Sequence, residues 1–285
     1  MSRHGTRPVR SWLITPAMAA DRFGKARTSS ADVALVDLED SVARAHKAAA
    51  RKAAQHFFLP ETSPAPAPML GLRLNSPLTA DGVRDLAAIA DYPTRPPLVL
   101  VPKTETARDI EMVAGVLDTG DHTPEIYALI ETPRGIEQLP SILRADRLGG
   151  LLFGAADYAA LVGCALGWEA LLYARSAVAN SAGTAGIPAI DSPYFDLHDL
   201  DGLKLECQRA KELGFLGKGA VHPAHLPVIT SVFTPSQDEI AAAHAIVAAG
   251  QEAHTAVTTV GSQMVGPPFV AAAQSLAARA ATASH

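Results

Sequence analysis

EIYALIETPRGIEQLPSILRADRLGGLLFGAADYAALVG, residues 125–163, decides how this chain reads. Two short apolar runs, Ile126 to Ile130 and Gly150 to Phe153, each lead to a carboxylate, Glu131 and Asp157. Between them Thr132 is placed to cap a helix. Pro133 suits its first turn, where no backbone N–H is needed. The stretch reads as strand, helix, strand, with an acid after each strand. Two such acids can meet over a shared site and hold a divalent metal.

Outward from there the pattern repeats. Runs from Ser11 to Thr15, Val33 to Asp37, Leu70 to Asn75, Leu98 to Val101, Ile187 to Ile190 and Lys218 to Val221 complete a set of eight short buried strands. Helix-length segments separate most of them: Arg44 to Phe57, Thr79 to Ala90, Thr104 to Leu117, Pro133 to Leu143 and Asp199 to Leu213. Continuous apolar runs alternating with amphipathic segments predict a parallel sheet. Eight units predict an α/β fold of the closed (β/α)8 barrel type over residues 1–233. A doubly wound sheet is the alternative, and no G-x-G-x-x-G follows the first strand to favour its dinucleotide-binding form. Proline-rich connectors (PETSPAPAP, 60–68; YPTRPP, 92–97) precede the third and fourth strands. Residues 234–285 read as a C-terminal helical extension, a lid or a subunit contact. It opens on a capping box from Thr234 to Gln237 and has a turn at 261–268 before a last Ala-rich helix.

Composition narrows the classes. The 285 residues are 48% hydrophobic with a net charge of −5, so the basic footprint of a nucleic-acid binder is missing. No apolar run reaches the ~18 residues of a membrane span. The basic N-terminus, MSRHGTR, is followed by too short an apolar run for a signal peptide. Cys164 and Cys207 form no metal or redox spacing, and a reducing cytoplasm is the default compartment.

Active sites of such barrels lie at the C-terminal ends of the strands. Those ends carry Asp37, Glu39 and Asp40 after strand two, Arg73 and Asn75 after strand three, Lys103 after strand four, Glu131 after strand five and Asp157 after strand six. Asp191 follows strand seven, and His222 strand eight. Acids with one Arg and one Lys suit an anionic substrate and a hard cation. Mg2+ takes one or two carboxylates plus substrate oxygens and waters, which Glu131 and Asp157 match; neither has a nearby Cys or His to suggest zinc. Each residue also has an ordinary reading. Glu131 is then a helix N-terminal acid, Asp157 a helix cap, Arg73 an ion-pair partner of Asp37 or Glu39, and Lys103 an electrostatic residue. His222 is a strand-end hydrogen-bonding residue, and Lys47 with Arg51 a solvated basic patch.

The ordered set RSWL (10–13), VDLEDSV (36–42) with Lys47 and Arg51, LRLN (72–75), VPK (101–103), LIETP (129–133), FGAAD (153–157), AIDSP (189–193) and GFLGK (214–218) leading to VHP (221–223) resembles the HpcH/HpaI aldolase and citrate lyase superfamily. The citrate lyase β-subunit-like branch is the nearer match. The resemblance implies a homotrimer or hexamer with Mg2+, Mn2+ being the alternative ion. It implies carbon–carbon cleavage beside a CoA thioester of the citryl-, malyl- or citramalyl-CoA type, giving a keto acid and an acyl-CoA. It places the metal on Glu131 and Asp157, with Glu131 also beside the substrate. It gives Arg73 a substrate carboxylate and sets Glu39 and Asp40 close to the metal's waters as catalytic acids. Malyl-CoA lyases carry an Asp in a Met-Ile/Val-Asp-x-Pro motif, where this chain has Gly266 after Met264-Val265. A class II pyruvate-type aldolase of the same superfamily is a second reading, although that branch shows His where Asp40 stands. A weakly active or non-catalytic partner-binding subunit is a third.

Overall fold

The computed structural model describes residues 8–60, 67–252 and 257–283; the N-terminal MSRHGTR and most of the first proline-rich connector lie outside them. Eight strands form a closed barrel: β1 (Ser11–Pro16), β2 (Val33–Asp37), β3 (Met69–Arg73), β4 (Leu98–Val101), β5 (Glu125–Ile130), β6 (Leu148–Phe153), β7 (Ala189–Asp191) and β8 (Gly217–Ala220). Each is parallel to the next, and β8 closes onto β1. Val9–Thr230 makes one compact unit and Ser231–His285 a second.

Strand side chains alternate between two faces. Trp12, Val33, Leu35, Leu98, Leu100, Tyr127, Leu129, Leu152 and Ile190 pack into one buried cluster. They sit at alternate positions of six strands and fill the barrel interior, with Trp12 edge-on to Tyr127 at 4.8 Å between ring centres. This parity decides which strand-end residues face the centre. Asp37, Arg73 and Glu131 continue the inward rows 33–35, 69–71 and 127–129. Asp191, one beyond inward-facing Ile190, points to the helix layer.

Local chemistry sets the helix limits. Thr79 accepts from Gly82 N–H at the start of Ala80–Ala90, Thr132 from Gly135 N–H, and Asp199 from Gly202 N–H at the start of Leu200–Leu213. Gly186 and Gly214 end the helices Trp168–Ala185 and Leu200–Leu213 with φ of 66° and 104°, which Gly adopts without a Cβ penalty. Two predicted helices are broken. Pro133 to Leu143 is two short pieces, Pro133–Glu137 and Leu139–Ile142, because Pro140 has no N–H for a continuous ladder. The first expected helix is α only over Lys47–Ala54, with 3₁₀ turns at Arg44–His46 and Gln55–Phe58.

The second unit differs from expectation at two points. Its first helix, Gln237–Glu252, is capped by Ser236, not Thr234: Ser236 Oγ accepts from Glu239 N–H and Glu239 Oε2 from Ser236 N–H. The carboxylate three residues on makes Ser236 the better cap. The expected turn is a hairpin of β9 (Thr258–Val260) and β10 (Gln263–Val265), joined at Gly261 with φ 60°. Gly266 follows it, and its carbonyl accepts from Phe269 and Val270 at the start of the last helix, Pro267–Ala283. Among the described residues no helix is long and apolar enough to cross a membrane.

Candidate active site

At the C-terminal end of the barrel, Asp37 and Arg73 are register partners on β2 and β3. Their side chains meet as a bidentate pair, Nε to Oδ1 at 2.6 Å and Nη2 to Oδ2 at 2.7 Å. Asp37 also accepts the Glu39 and Ser41 amides and is fully buried. Burial pushes its pKa up, but the Arg73 charge and these hydrogen bonds outweigh it, so the carboxyl lies below the usual range. The Nε–Nη2 edge of Arg73 is thus committed to Asp37. Its Nη1 lies 2.9 Å from Glu39 Oε2, yet that buried oxygen has no hydrogen bond, because the N–H points off its axis.

Lys103 is central to the site. Among the described residues it is the one non-glycine with positive φ, 51°, a region sparsely used by side-chain-bearing residues. That turn after β4 sends its amide N–H to Glu131 Oε1 at 2.9 Å. The ammonium bonds Glu39 Oε1 and lies 3.0 Å from Asp157 Oδ2, 3.7 Å from Asp40 Oδ1 and 3.9 Å from Glu131 Oε1. Asp157 sits in the first turn of Ala155–Val162, whose first residues follow the cap Gly154, so it is not the cap. Gly154 adjoins Glu131 on the next strand: a Cβ there would come within 2.4 Å of Glu131 Cβ. Lys47 supports the loop carrying Glu39 by donating to Leu38 O, Glu39 O and Asn75 Oδ1.

Four carboxylates therefore surround one ammonium. Burial, then repulsion from Glu39 and Asp157, holds Glu131 well above the ordinary glutamate range, although Lys103 and Arg73 oppose this. Burial and Asp40 raise Glu39 likewise. Burial alone would lower Lys103, but Glu39 and Glu131 raise it above the ordinary lysine value. The cluster holds more carboxylates than cations, its carboxylate donors are all oxygen, and its ammonium stands between Glu131 and Asp157. Buried Glu39 Oε2 is ion-paired with Arg73 Nη1 but accepts no hydrogen bond. Among the described residues no group of three His, Cys, Asp or Glu forms a metal cage. The donor set fits Mg2+ held by two carboxylates and otherwise by waters or substrate oxygens.

Other strand-end residues lie elsewhere. Outward-facing Asp191 pairs with Lys218 Nζ at 2.6 Å and Arg175 Nε at 2.9 Å, and Lys218 also reaches Glu206 at 2.7 Å. Asp191 and Lys218 are fully buried, so this is a structural cluster between barrel and helices. His222 Nδ1 accepts from Ala224 N–H and caps a short turn. Arg51 is not solvated: it pairs with buried Asp85 at 2.9 Å, and Lys47 is the brace described above. The interstrand reach of Lys47 and the central place of Lys103 depend on contacts remote in sequence, which spacing does not reveal.

Residues 10–223 match the HpcH/HpaI aldolase/citrate lyase family, and residues 168–283 match a C-C bond lyase family of the TIM-barrel fold. A citrate lyase subunit beta-like protein of Mycobacterium tuberculosis is 33% identical over 281 residues, covering 96% of each chain. A (3S)-malyl-CoA thioesterase of Cereibacter sphaeroides is 32% identical over 88% of this chain and 86% of its own. The crystal structure of protein CitE from Mycobacterium tuberculosis, in complex with magnesium, acetoacetate and coenzyme A, superimposes with a TM-score of 0.80 at 30% identity over 97% of this chain and 100% of that one. With the strand-end acids in their places on a closed barrel, the chain belongs to the HpcH/HpaI aldolase/citrate lyase family, in its citrate lyase β-like branch.

Proposed function

We propose that this protein is a Mg2+-dependent carbon–carbon lyase that splits a 3-hydroxyacyl-CoA thioester of the citryl-, malyl- or citramalyl-CoA type into a keto acid and an acyl-CoA. The observation that carries this reading is the Lys103 ammonium set among Glu131, Asp157 and Glu39, with the Arg73 Nη1–Glu39 ion pair beside it. A relative solved with magnesium, acetoacetate and coenzyme A supports it.

Glu131 and Asp157 would hold the metal, which when bound polarises the oxygen that becomes the ketone. Arg73, anchored by Asp37 through its Nε–Nη2 edge, would turn its Nη1–Nη2 end toward a substrate carboxylate. Glu39, beside the ammonium of Lys103 and Nη1 of Arg73, takes the hydroxyl proton as general base. The C2–C3 bond then breaks and its electron pair passes to the thioester enolate. Asp40, 56% exposed at the rim, relays the proton to solvent. Gly266 leaves the proton donor to the enolate carbon outside this set. We assign the protein to the cytoplasm, as a homotrimer or hexamer whose 234–285 segment serves as lid or subunit contact.

The test is turnover of purified protein with Mg2+ on citryl-, malyl- and citramalyl-CoA. We expect a keto acid and an acyl-CoA in equal amounts from at least one thioester. Free CoA with intact hydroxy acid would instead show hydrolysis, the activity named for the Cereibacter relative. Cleavage of free 4-hydroxy-2-keto acids alone would show a pyruvate-type aldolase. No turnover of any would leave the partner-binding subunit.

A further inference from the structure

We propose that Lys103 is a built-in counter-cation that competes with the divalent metal for Glu131 and Asp157, and that metal binding shifts its ammonium onto Glu39 and Asp40. The proposal rests on the metal reading of the site given above.

The ammonium faces two pairs of carboxylates. Glu39 and Asp40 follow β2; Glu131 and Asp157 follow β5 and β6. One Nζ reaches all four, bonding Glu39 and lying 3.0 Å from Asp157. An ammonium has three donors and no acceptor, so its place is set by where carboxylate oxygens converge. A divalent ion needs those same oxygens of Glu131 and Asp157, at the ~2.1 Å that Mg2+ requires. Two cations cannot occupy that point together, so the ion and the ammonium must divide the oxygens between them.

The backbone restricts how Lys103 can respond. Its left-handed turn is held by the hydrogen bond that its backbone N–H donates to Glu131 Oε1, so the stem stays and only the flexible end moves. The Glu39 side is the retreat available: it holds the ammonium already, and Asp40 adds a second, solvent-exposed acceptor. Without metal, the ammonium offsets repulsion among the four acids. With metal, it stays in the site as a positive charge beside Glu39. A residue that only supports Glu131 would behave differently. Its loss would weaken metal binding, whereas loss of a competitor strengthens it.

Calorimetry with MgCl2 alone, together with thermal unfolding, separates these cases. Lys103→Met keeps stem length and adds no new backbone strain, since Met at that φ costs what Lys does. Lys103→Gly removes the stem and relieves the positive φ, which covers the case in which the Met variant folds poorly. Lys52→Met, on an exposed helix face, controls for loss of one charge. We expect Lys103→Met and Lys103→Gly to bind Mg2+ at least about tenfold tighter than wild type. Metal-free Lys103→Met should melt lower than wild type, with a larger Mg2+-induced rise, and Lys52→Met should match wild type. Equal or weaker Mg2+ binding by either folded variant overturns the competition. No Mg2+ binding by wild type and variants alike overturns the metal reading, and the competition with it.

Discussion

Gly154 shows how closely the site is fitted around Glu131. Its backbone has ordinary negative φ, so the demand is for space: a Cβ would meet Glu131 Cβ and Oε2 at 2.4 and 2.6 Å. Gly154→Ala should cost about 1–3 kcal/mol of stability by overpacking and displace the Glu131 carboxylate. Denaturant unfolding and Mg2+ titration check both effects, and an unchanged Mg2+ affinity would show that Glu131 does not hold the ion. At this scale much was legible. An acid after each of two apolar runs marked Glu131 and Asp157, and a cluster of strand-end charges marked Arg73, Glu39 and Asp40. The roles of Lys103 and Lys47 were not legible. Each acts on residues carried by other strands, Lys103 on Glu131 and Lys47 on Asn75, and a linear sequence shows neither reach.

Strand parity explains which charges gather at the site and which leave it. Asp37, Arg73 and Glu131 extend inward rows, whereas Asp191 and Lys218 face the helices. All strand ends look alike in a sequence. Only the register, with Leu152 beside Ile190, fixes Asp191 as outward. Its cluster with Lys218, Arg175 and Glu206 is buried, and removing one charge strands the others. Asp191→Asn should therefore lose about 3–5 kcal/mol of stability while leaving Mg2+ affinity unchanged. Chemical denaturation beside a metal titration separates the two. A small stability loss would mean that the buried charges find other partners. Helix limits were legible where a cap stands, at Thr79, Thr132 and Asp199. They were not where a lone proline acts: Pro140 splits one amphipathic run without changing its pattern.

The whole molecule carries opposing pH responses. Burial and neighbouring acids raise Glu131 and Glu39 in the native state. Ionising them costs native stability, so metal-free protein weakens as pH rises from about 4.3, the unfolded glutamate value, through their raised native values. Asp37 and Asp191 run the other way. Burial alone would raise both, but Arg73 holds down the first and Lys218 with Arg175 the second. Their contribution is complete above the unfolded aspartate value of about 3.9 and is lost as pH falls through their lowered native values. Melting temperatures of chelator-treated protein should peak in mildly acid solution, and Mg2+ should raise the neutral side more than the acid side. A steady rise through neutrality would contradict the raised glutamates. The barrel itself was legible as eight apolar runs with helix-length spacers. The hairpin of β9 and β10 was not, because its strands are three residues each and half exposed.

The central claim is that Glu131 and Asp157 hold a metal on which keto-acid binding depends. Calorimetric titration of pyruvate or oxaloacetate into wild type and Glu131→Gln, each with Mg2+ and with chelator, tests it most directly. We predict keto-acid binding by wild type with Mg2+ only, and none by Glu131→Gln under either condition. Binding that survives the chelator, or that Glu131→Gln retains at wild-type strength, would contradict the account.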